Sequence, residues 1–137
     1  MKNKLFATLS SLTLFTAAAA FAQGNRGMHA DIPFAFRIGT TVLPAGQYEV
    51  RPQESGVLLI RCIPCKAAAL IVMNRISPGK TQASELVFNR YGETRFLSRI
   101  SLPQYSLGKE LSKSKAEREF ARNSSPVEPS AVALARR

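Results

Sequence analysis

A stretch near the start of the chain, residues 32–50, alternates apolar and polar side chains in the way that amphipathic β-strands do. It reads Ile-Pro-Phe-Ala-Phe-Arg-Ile-Gly-Thr-Thr-Val-Leu-Pro-Ala-Gly-Gln-Tyr-Glu-Val. Phe34, Phe36 and Ile38 recur at every second position, and the same spacing returns at Tyr48 after the Leu-Pro-Ala-Gly turn. Period-two alternation interrupted by glycine and proline predicts two strands joined by a turn. The chain is therefore constrained to a fold in which a sheet buries one of its faces.

Two further apolar runs follow within residues 57–73. The first, Val57 to Ile60, has no alternation, which is typical of a strand covered on both faces. The second, residues 66–73, is long enough for a helix, whereas its β-branched Ile71 and Val72 favour a strand. Periodicity leaves both structures open for this second run.

Residues 86–100 predict a β-hairpin about Gly92. A two-residue turn would set Arg90 opposite Arg95, and like charges directly opposite destabilise a strand pair. We therefore predict a three-residue loop that ends at Gly92, where glycine suits the left-handed position of such loops. Four apolar side chains would then share the core face: Leu86, Phe88, Phe96 and Ile100. The outward side chains would be Val87, Asn89, Arg95, Leu97 and Arg99.

The chain becomes polar and charged after residue 108. Residues 109–122 contain good helix formers, and Ser114 with Glu117 fits a capping box, so they predict a polar surface helix. Residues 123–137 contain two prolines and many small residues, and we predict a disordered tail there.

The first 22 residues have the three parts of a secretory signal peptide. Lys2 and Lys4 form a basic head, an apolar region follows, and Ala20-Phe21-Ala22 is a small-x-small cleavage motif. Removal of 22 of the 137 residues leaves 115, and the loss of two lysines lowers the net charge from +10 to +8. The alternative is an uncleaved membrane anchor, which we consider less favoured because the apolar run is shorter than the roughly 20 residues of a spanning helix. We therefore expect a secreted or periplasmic protein, with no transmembrane segment after cleavage.

These observations predict one mainly antiparallel β domain with a C-terminal surface helix, either a β-sandwich or a partly closed barrel. Its parts would be a signal peptide, a flexible leader, the β domain, the polar helix and the tail, at residues 1–22, 23–31, 32–108, 109–122 and 123–137.

Four blocks of the sequence resemble the shared pattern of a group of small, uncharacterised secreted bacterial proteins. The blocks are Pro33–Gly39, Leu43–Val50, Leu86–Gly92 and Lys113–Glu119. The pattern looks like Pro-Phe-x-Phe-x-Val/Ile-Gly, Leu-Pro-Ala-Gly-x-Tyr-x-Val, Leu-Val-Phe-x-Arg-Tyr-Gly and Lys-Ser-x-Ala-Glu-Arg-Glu. The resemblance covers most of the mature chain and implies no activity, cofactor or catalytic residue. Relatives tend to have a polar turn where this chain has Cys62 and Cys65.

The two cysteines, Cys62 and Cys65, form the one motif that could carry covalent chemistry. A Cys-x-x-Cys motif at a helix N-terminus would suit a thiol-disulfide oxidoreductase, because the helix dipole lowers the pKa of the first thiol. The alternative is a disulfide across a tight turn between two strands, since such residues lie within about 7 Å at Cα. The flanking hairpin patterns favour the turn disulfide, and export to an oxidising compartment favours the bonded form.

No other catalytic or metal-binding set is indicated. The chain has a single histidine, His29, in the predicted leader, whereas catalytic relays and zinc sites need several fixed groups. We therefore expect no cofactor, no metal and a non-enzymatic function.

Arginines on or beside the predicted strands are candidate contacts for anions, because the guanidinium binds carboxylate and phosphate in bidentate fashion. The candidates are Arg37, Arg51, Arg95 and Arg99. We expect an envelope or extracellular binding or structural accessory, with an anionic envelope polymer or lipid headgroups as partner. No nucleic-acid partner is expected, because the sequence has no phosphate-binding loop or RNA-stacking motif. A further alternative is a small barrel whose aromatic residues line a cavity for an apolar ligand: Phe34, Phe36, Tyr48, Phe88 and Phe96.

Overall fold

The computed structural model describes residues 27–75, 83–125 and 127–136. The predicted signal peptide, residues 1–22, lies outside them. Within the described ranges the chain forms eleven β-strands, β1 to β11, and one α-helix, α1. In chain order they are Met28–Ile32, Phe36–Ile38, Thr41–Leu43, Gly46–Pro52, Val57–Cys62, Ala68–Val72, Asn74–Arg75, Glu85–Tyr91, Thr94–Leu102, Leu107–Glu110, the helix Lys115–Asn123 and the strand Val127–Ala133. No helix in these ranges has both the length and the apolar character needed to span a membrane.

The strands form two sheets. Sheet A has the order β1-β4-β5-β6, and sheet B has the order β11-β8-β9-β10-β7, with β2 paired to β9 and β3 paired to β2. Buried side chains of both sheets make one core, in which Val50 and Ile60 of sheet A join Leu86 and Ile100 of sheet B. The described residues therefore form a β-sandwich with a C-terminal helix, which confirms the predicted fold class and favours its sandwich form over a barrel.

The alternating stretch at residues 32–50 links the two sheets. The strands β2 and β3 pair through a turn at Gly39, whose φ is +59°, and join sheet B beside β9. The strands β1 and β4, which flank them, pair with each other in sheet A. The two predicted strands therefore belong to different sheets. Alternation indicates which side chains are buried, but it does not indicate which strand is the neighbour.

Residues 66–73 provide the strand β6 and not a helix. Ala68 to Val72 pair in antiparallel register with β5, as the β-branched Ile71 and Val72 favour.

The hairpin at Gly92 has a two-residue turn, so the prediction of a three-residue loop is wrong. Tyr91 pairs with Thr94, and Arg90 lies directly opposite Arg95. Gly92 has a φ of +61° at the first central position, where a type II′ turn requires glycine.

The two opposed arginines are tolerated because each has a separate partner. Arg90 donates through Nε to the carbonyl oxygen of Gly92 at 2.8 Å and lies 3.6 Å from the carboxylate of Glu93. Arg95 lies 4.2 Å from the ring centroid of Phe34, in a cation–π contact. The repulsion that argued against this register is therefore offset locally.

A β-bulge in β9 changes which side chains face the core. Val87 pairs with Arg99 but Phe88 pairs with Leu97, so Ser98 is an extra residue in the ladder. Leu97 consequently enters the shared core, and Phe96 turns to the outer face of sheet B. The predicted positions of these two residues are exchanged.

The predicted flexible leader and the predicted disordered tail are both strands over much of their described length. Met28 and Ala30 in β1 are buried in the core, and β11 pairs with β8 as an edge strand of sheet B. Pro129 lies at the register shift of β11, where proline is tolerated in an edge strand. The two ends also bond to each other, because the N–H of His29 donates to the carbonyl oxygen of Ala135 at 2.7 Å.

The predicted helix at 109–122 is also shorter at its start. Lys109 and Glu110 belong to β10, which pairs with β9, and α1 begins after the N-cap Ser114. A charged sequence is compatible with an edge strand as well as with a surface helix, because each of these elements leaves part of its surface exposed to solvent.

One carboxylate is buried on the outer face of sheet A. Glu49 is 5% exposed and accepts hydrogen bonds from the guanidinium groups of Arg51, at 2.5 Å, and Arg61. Burial alone raises the pKa of Glu49, but the hydrogen bonds and charges of the two arginines outweigh burial and hold the pKa below its ordinary value near 4.5.

This ion-pair cluster predicts a specific loss of stability in acid. Because the folded pKa of Glu49 is lowered, its contribution to stability is complete above the unfolded value near 4.5 and is lost as the pH falls through the folded value. The free energy of unfolding, measured by urea denaturation from pH 7 to pH 2.5, should therefore fall more steeply below pH 4.5 in the native protein than in Glu49→Gln. The exposed carboxylate Glu54 supplies the matched variant Glu54→Gln, and parallel profiles for the native protein and Glu49→Gln would contradict the assignment.

Candidate functional site

The cysteines of the predicted redox motif lie in a turn between two antiparallel strands. Cys62 ends β5, Cys65 precedes β6, and their Cα atoms are 5.5 Å apart, at disulfide distance. Cys62 is buried in the core, whereas Cys65 is exposed. Lys66 has a φ of +58° and the chain then continues as a strand, so neither cysteine lies at a helix N-terminus. The arrangement is that of the turn disulfide and lacks the helix dipole on which thioredoxin-type reactivity depends.

The four candidate anion-contact arginines do not share one face. Arg37 and Arg99 lie on the outer face of sheet B, Arg51 lies on sheet A, and Arg95 lies on the core side of β9 near its start. Each has a partner within the fold, namely the ring of Phe120 for Arg37 at 5.7 Å, Glu49 for Arg51, the ring of Phe34 for Arg95, and Glu85 for Arg99 at 3.3 Å.

The aromatic residues considered as the lining of a cavity are largely packed against one another. Phe36 lies 5.3 Å from Tyr48 and 5.2 Å from Phe88 between ring centroids, in edge-to-face geometry. Phe96 lies on the other side of sheet B, against the helix. Phe36, Tyr48 and Phe88 therefore fill the core of the sandwich.

The helix α1 is held on the outer face of sheet B by a buried carboxylate. Glu117 is 4% exposed, and its Oε1 accepts hydrogen bonds from Asn89 Nδ2 and from the hydroxyl of Tyr91, both at 3.0 Å. Its backbone N–H donates to the Oγ of Ser114 at 3.1 Å, so the same residue joins the N-cap to the sheet. A buried carboxylate is tolerable here because two donors satisfy it.

Tyr91 stays a donor in this contact over a wide pH range. Burial, and then the hydrogen bond to the negative Glu117, raise the pKa of Tyr91 above its ordinary value of 10.0. The neutral hydroxyl can therefore satisfy the carboxylate at neutral and moderately alkaline pH.

A ring contact fixes the second turn of the helix. The ring centroid of Phe120 lies 5.7 Å from that of Phe96, and the guanidinium of Arg37 lies over the Phe120 ring, 5.7 Å from its centroid. Glu117 and Phe120, three residues apart, thus form the inner face of α1.

The outer face of α1 is basic. At 100° per residue, Lys115, Arg118 and Arg122 fall within about 60° of one another, and all three are exposed. Lys113, just before the helix, is exposed as well. We call these four residues the basic helix surface. Glu119 lies among them, yet no ion pair in the described ranges joins it to any of the four.

A cleft of about 610 Å³ lies beside the basic helix surface, between the loop before α1 and the outer face of sheet B. Its walls mix basic, acidic and neutral polar groups. They are Val87, Asn89, Ser98, Arg99, Glu110, Leu111, Ser112, Lys113 and Pro129. Among the described residues there is no group of three or more His, Cys, Asp or Glu side chains that could hold a metal ion. The cleft therefore offers charge and hydrogen bonds to a polar ligand.

Sequence reasoning missed the residues that create this surface. Asn89 and Tyr91 were expected only as hairpin residues, and Glu117 only as the partner of Ser114 in a capping box. The capping box correctly marks the start of the helix, because Ser114 is its N-cap. It does not indicate that the Glu117 carboxylate points to the sheet.

Comparisons with protein-family models, with curated proteins and with solved structures find no match to this chain.

The asymmetry of the cysteine turn predicts unequal effects of two substitutions. Cys65→Ala should cost no more than about 2 kcal/mol of unfolding free energy, because a four-residue loop gains little from closure. Cys62→Ser should cost about 1–3 kcal/mol more, because it also puts a hydroxyl into the core. Urea unfolding of both variants measures the difference, and equal losses would show that the environment of Cys62 is not apolar.

The helix anchor predicts local destabilisation when its carboxylate is removed. Glu117→Ala leaves the Tyr91 hydroxyl and the Asn89 amide without their acceptor, which should cost about 1–3 kcal/mol. Glu117→Gln keeps one acceptor oxygen and should recover part of this loss. Amide hydrogen exchange should show the greatest increase within α1. Glu119→Ala is the matched control on the outer face, and an equal effect of both alanine variants would contradict the anchor.

Proposed function

We propose that the protein is an exported, non-enzymatic binding domain that takes up an anionic polymer on the basic helix surface. The observation that carries this proposal is the set of four exposed cations, Lys113 just before α1 and Lys115, Arg118 and Arg122 on it, because Glu117 fixes this helix to the sandwich. Fixing the helix lowers the entropy cost of presenting these charges together. Sulfate, phosphate and carboxylate groups along a polymer are the matching chemistry.

The composition of the surface favours a hydrated polymer over a lipid bilayer. Insertion into a headgroup layer is usually supported by exposed apolar side chains beside the basic ones. On α1 the apolar Ala116 and Phe120 are half-buried against the sheet, and the exposed side chains are polar or charged. An acidic polysaccharide or another polyanion of the cell envelope is therefore the proposed ligand.

Charge and compartment support the same ligand class. The mature chain is expected to carry a net charge of +8, and a signal peptide would deliver it to the envelope, where acidic polymers are abundant. The adjacent cleft, with Arg99 and Lys113 in its walls, lies where a bound chain could extend beyond the helix.

Binding to an acidic polysaccharide such as polygalacturonate should weaken when the outer charges of α1 are removed. The variant Arg118→Gln/Arg122→Gln should lose about tenfold in affinity at low salt, because each exposed charge contributes up to about 1 kcal/mol. The substitution Glu119→Gln removes a negative charge from the same surface and should therefore strengthen binding. Both effects should shrink as the salt concentration rises from 20 to 300 mM, and isothermal titration calorimetry measures all of these affinities.

The control distinguishes a localised site from general basicity. Lys66→Gln/Arg75→Gln removes the same number of charges from sheet A and the strand after it, and it should bind the polysaccharide as the native protein does. Equal weakening by the two double variants would overturn the proposed site. A second experiment measures binding to vesicles that contain phosphatidylglycerol. Binding to these vesicles but not to the polysaccharide would show that the ligand is a membrane surface and would overturn the proposed polymer.

A further inference from the structure

The strand β6 is an edge of sheet A that carries exposed apolar side chains. Within the described residues it pairs with β5 alone. Leu70 is 69% exposed and Val72 is 65% exposed, and Ile63 in the adjoining cysteine turn is 50% exposed. Three of the four large apolar side chains that are exposed in the described part of the chain thus lie on or beside this strand.

The hydrogen-bond pattern shows which backbone groups of β6 face outward. The N–H of Cys62 donates to the carbonyl oxygen of Ala67 at 2.8 Å, and the N–H of Met73 donates to that of Gly56 at 2.7 Å. Hydrogen-bonded pairs alternate along an antiparallel ladder, so residues 67, 69, 71 and 73 direct their backbone groups to β5. Ala68, Leu70 and Val72 therefore direct theirs to the open edge.

Among the described residues, this edge lacks the features that usually protect an exposed strand. Protective features are a central lysine, a proline, a bulge or a covering segment. Residues 67–73 read Ala-Ala-Ala-Leu-Ile-Val-Met and contain no charged residue and no proline. The register of β6 with β5 is regular and has no bulge. The edge is thus a ready template for one more strand.

Charge at the two ends of β6 indicates what kind of strand fits. Lys66 precedes it, Arg75 follows it, and both are exposed. A second copy paired antiparallel about Leu70 would place Lys66 of each copy opposite Asn74 of the other, one residue from Arg75, so that like charges come close together. An added strand with acidic residues at its ends would instead be complementary.

From this geometry we propose that β6 is a docking edge for an extended peptide segment that has apolar side chains at alternate positions and acidic residues at its ends. Main-chain hydrogen bonds to Ala68, Leu70 and Val72 hold the peptide, and the positive charges of Lys66 and Arg75 select a peptide with acidic ends. This site is separate from the basic helix surface and does not depend on the polymer proposal.

Hydrogen exchange on the native protein tests the contact residue by residue. The probe is an end-capped ten-residue peptide with valine and threonine alternating between terminal glutamates. Saturating peptide should slow the amide exchange of Ala68, Leu70 and Val72 at least tenfold. The amides of Ala69 and Ile71 already bond to β5, so they serve as internal controls and should change little. Uniform slowing, or slowing at other elements alone, would overturn the edge assignment.

Two substitutions of Leu70 separate the backbone contact from the side chain. Leu70→Pro removes an N–H that the fold does not use, and proline is tolerated where the N–H of an edge strand faces solvent. It should weaken peptide binding about tenfold in fluorescence anisotropy. Leu70→Thr also removes the apolar side chain but keeps the N–H, so it should bind at least threefold more tightly than the proline variant. Equal affinities would argue against strand addition.

Charge reversal tests the selection. The native protein should prefer the glutamate-ended peptide over the same peptide with terminal lysines, and Lys66→Glu/Arg75→Glu should reverse that preference. If the native protein shows no preference, the acidic segment is the wrong partner. If Ala68, Leu70 and Val72 become protected with rising protein concentration in the absence of peptide, a second copy occupies the edge and the proposal fails.

Discussion

The contact of Tyr48 with Phe36 is the interaction on which the sandwich depends most. Tyr48 belongs to sheet A and Phe36 to sheet B, both are almost completely buried, and their rings meet edge to face at 5.3 Å. The hydroxyl of Tyr48 donates to the carbonyl oxygen of Pro44, so the buried phenol has no unpaired polar atom. Burial raises the pKa of Tyr48, which keeps this donor neutral. One short segment, residues 36–48, therefore holds both sheets together.

The position of this segment leaves the two proposed binding surfaces on the outside of the molecule. Phe36, Tyr48 and Phe88 occupy the space between the sheets, where their rings pack against one another. The outer faces are organised by buried carboxylates instead. Glu49 gathers Arg51 and Arg61 on sheet A, and Glu117 gathers Asn89 and Tyr91 under the helix. In each case a buried acid fixes neighbouring groups because it has to be hydrogen-bonded.

Local pattern was sufficient to predict a mainly antiparallel β domain with a C-terminal helix, the cysteine turn and the helix cap, because each depends on residues close in sequence. It left the choice between a sandwich and a barrel open, since that choice depends on how distant strands pair. Long-range pairing was not predictable in the same way. The hairpin at Gly92 was assigned the wrong loop, since the contacts that relieve Arg90 and Arg95 come from Glu93 and from the distant Phe34. The bulge at Ser98 exchanged Phe96 with Leu97, and alternation alone contains no signal for one extra residue.

The two ends of the chain also show that local pattern can fail to predict a strand. Met28, Ala30 and Ile32 do alternate, but five residues beside a glycine-containing leader are too few to distinguish a strand from a loop. Likewise, the proline in β11 argued for disorder, although an edge strand accepts it.

The two outer surfaces are chemically unlike, and the fold keeps them apart. The helix lies on the outer face of sheet B, whereas the β6 edge belongs to sheet A, so the two surfaces are carried by different sheets. On the helix the main feature is exposed side-chain charge, and contacts of this kind are screened by salt. At β6 the main feature is the row of open backbone groups of an edge strand. The two proposed sites therefore rely on different residues and different interactions, so either proposal can fail without the other.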